Sequence, residues 1–218
     1  MFKTHITMLV DRSGSMGTIR EEAQSGINVF VEEQKALDGD CTFSLYDFDA
    51  TVQKVYHGDI SDAPAYVLKP RGMTDLYGAI CRSVDETGDF LRNLPETDRP
   101  EKVVFIVMTD GDQTINGPFT LADAQRRIEH QQDKYSWEIS FMGSGLKVSR
   151  QALDLGIAAS HTHNFAANSG IAVAAAFSAH SHSIGTYRSV GATTYAAATA
   201  ADGTVIQGDA DRTSVQDA

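Results

Sequence analysis

Five oxygen-bearing side chains, Asp11, Ser13, Ser15, Thr74 and Asp110, are of the types that could hold one hard divalent cation. Three of them come from a single short segment, Asp11-Arg12-Ser13-Gly14-Ser15, which offers a carboxylate and two hydroxyls on alternate residues. Carboxylate and hydroxyl oxygens suit Mg2+, Mn2+ or Ca2+, whereas zinc favours nitrogen and sulfur. The competing reading of this segment is a strand end followed by serine helix caps, a common arrangement in α/β proteins. What decides between them is where the other two residues fall, and that depends on the elements around them.

An apolar run, His5 to Val10, stops at Asp11, and a helical pattern through Ile19, Ala23, Ile27, Phe30 and Val31 follows the Ser-Gly-Ser turn. Cys41 to Phe48 and Thr51 to Tyr56 alternate apolar and polar residues around Asp47-Phe48-Asp49-Ala50, which predicts an antiparallel hairpin. Beyond the Pro70-Arg71-Gly72 turn, Leu76, Ile80, Val84 and Leu91 mark a second helix. Lys102 to Met108 is a β-branched run suited to a strand buried on both faces, and it ends at Thr109-Asp110-Gly111. A helix through Leu121, Ala124 and Ile128, a strand over Trp137 to Met142, a short helix over Val148 to Leu155 and a weak strand over His161 to Phe165 come next. A final helix is expected from Ser169 to about Thr186, its Ala-rich stretch packing on the sheet.

This alternation predicts an α/β, Rossmann-like, doubly wound fold: a mostly parallel central sheet with one antiparallel edge strand and helices on both faces. In such sheets ligands bind beyond the carboxyl ends of the strands. Asp11 and Asp110 both stand just past such an end, so the two carboxylates can meet on one rim. Residues 1–189 are expected to form the domain, and 190–218, rich in Gly, Ala, Thr and Asp without periodicity, a loosely held tail.

The order of these parts, Asp11-Arg12-Ser13-Gly14-Ser15, then Gly72-Met73-Thr74-Asp75, then a strand ending in Thr109-Asp110-Gly111, resembles a von Willebrand factor type A domain of the stand-alone bacterial or phage type. The resemblance covers roughly residues 3 to 187. It implies a metal-ion-dependent adhesion site in which Ser13 and Ser15 coordinate directly, Thr74 directly or through water, and Asp11 and Asp110 directly or through bridging waters. Carboxylates acting partly through water, with neutral hydroxyls close in, leave a dication incompletely neutralised. Such an ion can take an Asp or Glu from a partner protein. The resemblance therefore implies a non-enzymatic, divalent-metal-dependent adhesion or adaptor module; intracellular members of the family often work with AAA-type ATPases. A structural subunit of a larger assembly, with a structural metal, is the alternative.

Asp75 and Asp112, beside the later motif positions, read as solvent-facing acids at helix starts, and Arg12 as an outward rim residue. A rival resemblance lies in Asp47-Phe48-Asp49 after an apolar strand, similar to the first motif of haloacid-dehalogenase-type phosphotransferases, with Thr109 as the hydroxyl motif. The Lys and second acidic pair of that family have no match after an apolar strand, so Asp47 and Asp49 read as hairpin-turn acids. No Gly-x-Ser-x-Gly surrounds Ser13 or Ser15. The histidine pairs His161/His163 and His180/His182 read as surface or partly buried groups.

The net charge of −11 over 218 residues argues against non-specific binding to nucleic acid or anionic membranes, which needs clustered Lys and Arg. No apolar stretch approaches the roughly 20 residues of a membrane span, and the N-terminus lacks a signal-peptide pattern. With two scattered cysteines, Cys41 and Cys81, expected as free buried thiols, the chain reads as cytoplasmic.

Overall fold

The structure, a computed structural model, describes residues 2–144, 146–165 and 170–189. Six strands, β1 (Thr4–Asp11), β2 (Cys41–Phe48), β3 (Val52–Asp59), β4 (Lys102–Thr109), β5 (Glu138–Ser144) and β6 (Thr162–Phe165), form one sheet in the order β3-β2-β1-β4-β5-β6. All neighbours run parallel except β3, which folds back antiparallel on β2 at one edge. The expected fold class is the one observed. The tail 190–218 lies outside the described residues.

The parallel pairing follows from composition. Every residue of β1 and β4 is buried, as continuous apolar runs must be when helices cover both sheet faces. Alternation then sorts the side chains. Ile6, Met8 and Val10 face α1 (Arg20–Lys35) and α5 (Gly170–Ser189), where they meet Ile27, Phe30 and Phe177. Leu9, Phe105 and Val107 face the layer of α2 (Leu76–Asn93), α3 (Leu121–Tyr135) and α4 (Leu146–Asp154), and meet Ile80, Val84 and Ile128. Each such side chain contributes roughly 1.5–3 kcal/mol by leaving water.

Local chemistry sets the helix ends. Thr120 and Asp123 form a reciprocal capping box that starts α3, and Asp75 caps α2 by accepting from the Gly78 N–H. Helix α5 is described from Gly170 and runs three residues further than expected, to Ser189; the expected start, Ser169, lies outside the described residues. It packs on α1 as well as on the sheet. At Gly26 of α1 a Cβ would stand 2.2 Å from the Phe177 ring, so glycine is what lets the two helices approach.

The chain moves from β1 to β2 on one side, then to β4 on the other, so winding reverses beside β1. That switch point opens a crevice at the carboxyl rim, where β1 delivers Asp11 and β4 delivers Asp110.

Candidate metal centre

Asp11 ends the central strand and is fully buried. Its Oδ1 accepts from the Ser13 backbone N–H at 2.6 Å, the local turn that swings the loop back over the strand end. Its Oδ2 accepts from the Thr109 hydroxyl at 2.6 Å, joining β1 to β4. From there a chain of oxygens leads outward: Ser13 Oγ lies 3.0 Å from Ser15 Oγ, which donates to Asp110 Oδ1 at 2.7 Å. Ser13 is buried, Asp110 half-buried and Ser15 exposed, so the chain runs from core to solvent.

Thr74 stands two residues before the start of α2, on a loop tied to the first one. The loop before α2 is stitched to the first loop by Gly14 N–H to the Gly72 carbonyl (3.1 Å) and Arg71 N–H to the Arg12 carbonyl (2.7 Å). Gly72 takes a positive φ of 72° to make this turn. Thr74 itself is buried, and its N–H donates to Thr114 Oγ1 at 2.7 Å. The structure thus links four of the five residues by direct hydrogen bonds; Thr74 bonds Thr114 instead, two residues along from the Gly72 carbonyl that receives the Gly14 N–H.

Burial raises the pKa of Asp11, opposed by hydrogen bonds from Thr109 and Ser13; burial likewise raises that of Asp110, opposed by Ser15. Both carboxylates are held in a place where negative charge costs energy and a cation would offset the cost. The donor set suits a hard ion. Adjacent oxygens around an octahedral ion bound at 2.0–2.1 Å stand about 3 Å apart, the spacing seen from Ser13 to Ser15. Among the described residues no group of three or more His, Cys, Asp and Glu side chains could hold a metal, so a cation here depends on hydroxyls.

Several neighbours differ from expectation. Arg12 is buried at 6% exposure, not a rim residue: its Nη1 lies 3.0 Å from Asp47 Oδ1, its Nε 3.3 Å from Asp49 Oδ2, and it donates to Gln53. Its partners come from β2, the β2–β3 turn and β3, 35 to 41 residues away. Asp49 is a turn acid as expected, accepting from Thr51 N–H and Oγ1 at 2.9 Å each. Burial pushes its pKa up, but the bonds from Thr51 and Arg71 and the charge of Arg12 bring it below the usual value. Asp47, also beside Arg12, stays raised because burial prevails. Asp75 starts a helix but is buried, accepting from Gln113 Nε2 at 3.0 Å as well as from Gly78. Asp112 is exposed, and Gln151 of α4 donates to it and to the Gly111 carbonyl at 3.0 Å each. Gln151 is a site-shaping residue absent from the sequence reading, and Thr109, named there as a motif residue, was given no part in holding Asp11. Thr109 was findable, since a hydroxyl just before Asp110 at a strand end must face the neighbouring strand's end.

No protein-family model matches the sequence, and no curated protein matches it. Solved structures do. The von Willebrand factor domain of the type V pili tip protein Mfa5 from Porphyromonas gingivalis covers 88% of this chain and 98% of its own, with a TM-score of 0.63 and 12% identity. A von Willebrand factor type A structure from Catenulispora acidiphila covers 84% of this chain at a TM-score of 0.57 and 16% identity. The fold is that of a von Willebrand factor type A domain. The pilus adhesin SpaC from Lactobacillus rhamnosus GG shares this fold, covering 86% of the chain at a TM-score of 0.66 and 16% identity. The chain spans 42% of the length of the Catenulispora chain and 30% of that of SpaC. Among the described residues no helix is long and apolar enough to cross a membrane.

Proposed function

We propose that the chain is a non-enzymatic interaction module that holds Mg2+ or Mn2+ at Asp11, Ser13, Ser15, Thr74 and Asp110 and uses it to grip an Asp or Glu of a partner protein. The observation that carries this reading is the oxygen chain from Asp11 through Ser13 and Ser15 to Asp110, which climbs from the core to an exposed hydroxyl at the switch-point rim. Asp11 already spends both oxygens on Ser13 and Thr109, which favours contact with an ion through water and leaves the hydroxyls as close ligands. Charge on the ion then remains for an incoming carboxylate.

Similar folds in a pilus adhesin and a pilus tip protein agree with a role in protein contact. Asp47 and Asp49 are engaged by Arg12, and Asp49 by its own turn, which supports a structural role for both over phosphoryl transfer. A cytoplasmic place belongs to the same proposal, in keeping with two free, buried thiols, Cys41 and Cys81; cell fractionation tests it.

Titration calorimetry with Mg2+ and Mn2+ tests the site. Binding by the natural chain and none by the Asp11→Ala, Ser13→Ala double variant is the expected result; equal binding by both would overturn the assignment. The partner expected from the resemblance, an AAA-type ATPase or a larger assembly, is tested by pull-down with and without chelator. A partner retained in chelator speaks for a structural metal.

A further inference from the structure

A cleft of about 410 Å3 opens beside the metal loop, between β3 and the segment that returns from β3 to the rim. Its floor includes buried Arg12 and Asp47, and its outer walls are Val55 of β3 on one side and Val67, Lys69 and Arg71 on the other. The returning segment alternates as extended chain does. Tyr66 and Leu68 point inward, their N–H groups held by Asn28 and Gln24 of α1, while Ala65, Val67, Lys69 and Arg71 stand exposed in a row.

That row is ordered. Arg71, at its upper end, is bonded through its backbone to the metal loop at Arg12; Lys69 comes next, then Val67, which is 57% exposed and faces Val55, itself 40% exposed. Among the described residues Lys69 has no ion-pair partner, and Arg71 is paired with Asp49 through a side chain 64% exposed. On a chain of net charge −11, this is where an acidic segment would meet cations beside the metal instead of repulsion.

We propose that this row is the second half of the partner-binding surface. An extended acidic segment places one carboxylate on the metal and runs down the cleft, with a second acid against Lys69 and an apolar residue between Val67 and Val55. The inference rests on the metal reading above and adds the chemistry of the partner. Alternate residues of extended chain stand about 6.6 Å apart; with the metal taken as one such step beyond Arg71, Lys69 lies two steps from it, about 13 Å or four residues.

Two labelled peptides, titrated by fluorescence anisotropy into the full chain in Mg2+ and in chelator, test it. One carries a single Asp in a Gly/Ser background. The other adds a Glu four positions from the Asp and a Val six positions from it, and is made in both chain directions. The two-acid peptide in one direction is expected to bind about tenfold tighter than the single-acid peptide, and Lys69→Glu to erase that ratio. Equal binding by the two peptides in the natural chain, or a ratio that survives Lys69→Glu, overturns the inference and leaves the metal reading standing. If neither peptide binds more tightly in Mg2+ than in chelator, the metal reading falls and takes the inference with it.

Discussion

The rim around Asp11 and the seam beneath α5 both place polar side chains in an apolar frame, and they treat them in opposite ways. At the rim, hydroxyls and carboxylates form a path that ends at exposed Ser15. Under α5, His163 of β6 and His180 are 3% and 0% exposed, their rings 4.3 Å apart, with Ser140 Oγ 3.2 Å from His180 Nε2 and the Phe30 ring stacked on His180. The expectation of surface or partly buried histidines fails for these two. His161, half-buried and 3.1 Å from Glu138, and exposed His182 meet it. The rim keeps polarity available to a ligand; the seam seals it and keeps the imidazoles neutral. Desolvation alone does not make a binding site. A path to solvent does.

This contrast can be broken most severely at the helix pair over the seam. Gly26→Ala puts a methyl into the Phe177 ring and is expected to cost about 3 kcal/mol in urea unfolding. The damage belongs to the seam, so any fraction that remains folded should still bind Mg2+.

Acid is the next lever. Burial, with the neighbouring His161, lowers the His163 pKa to about 4; burial, with the neighbouring His57, lowers that of His5 to about 3. As pH falls below about 6.5 the unfolded chain takes up protons that the folded chain refuses, so stability is full above 6.5 and declines toward pH 4. His163 alone accounts for a loss of about 3 kcal/mol over that window. Unfolding free energies measured at pH 7.5 and 4.5 should show the decline, and His163→Gln should flatten it.

The rim should respond to metal instead. At a hundred times its dissociation constant, Mg2+ is expected to add about 2.7 kcal/mol to stability, seen as a rise in Tm that Asp11→Ala abolishes. A Tm indifferent to Mg2+ would make the rim as closed as the seam. The smallest expected effect is the most specific: Thr109→Val keeps the buried shape, removes the hydroxyl that holds Asp11 and accepts from the Gly111 N–H, and should weaken Mg2+ binding about tenfold while costing about 1–2 kcal/mol of metal-free stability.

Much of the fold was legible because it depends on local pattern. The apolar runs of β1 and β4 announce strands covered on both faces, and Asp11 and Asp110 stand at their ends without reference to anything distant. What stayed hidden depends on pairing across the fold. Arg12 reads as a surface cation until β2 supplies Asp47 and the turn supplies Asp49. Asp75 reads as a solvated helix start until Gln113 closes over it. The histidines at 163 and 180 look like surface residues because α5 carries apolar, small and polar residues on all sides, and only its docking between α1 and β6 decides which are sealed. The candidate metal site occupies the middle ground: its residue types could be read from the sequence, and the hydrogen bonds that order them could not.

The position of Asp11 has a mechanical consequence. It is the last residue of a strand flanked on both sides, β2 and β4 running parallel to β1 along nearly its whole length. If the proposed ion is held by Asp11 and Asp110, a partner pulling on it along the strands would load β1 and β4 together, so the ladders that tie them to β2 and β5 would resist in shear. The β3 edge, paired on one side only, would peel open bond by bond under the same force. Tension on such a grip would thereby be directed into the middle of the sheet.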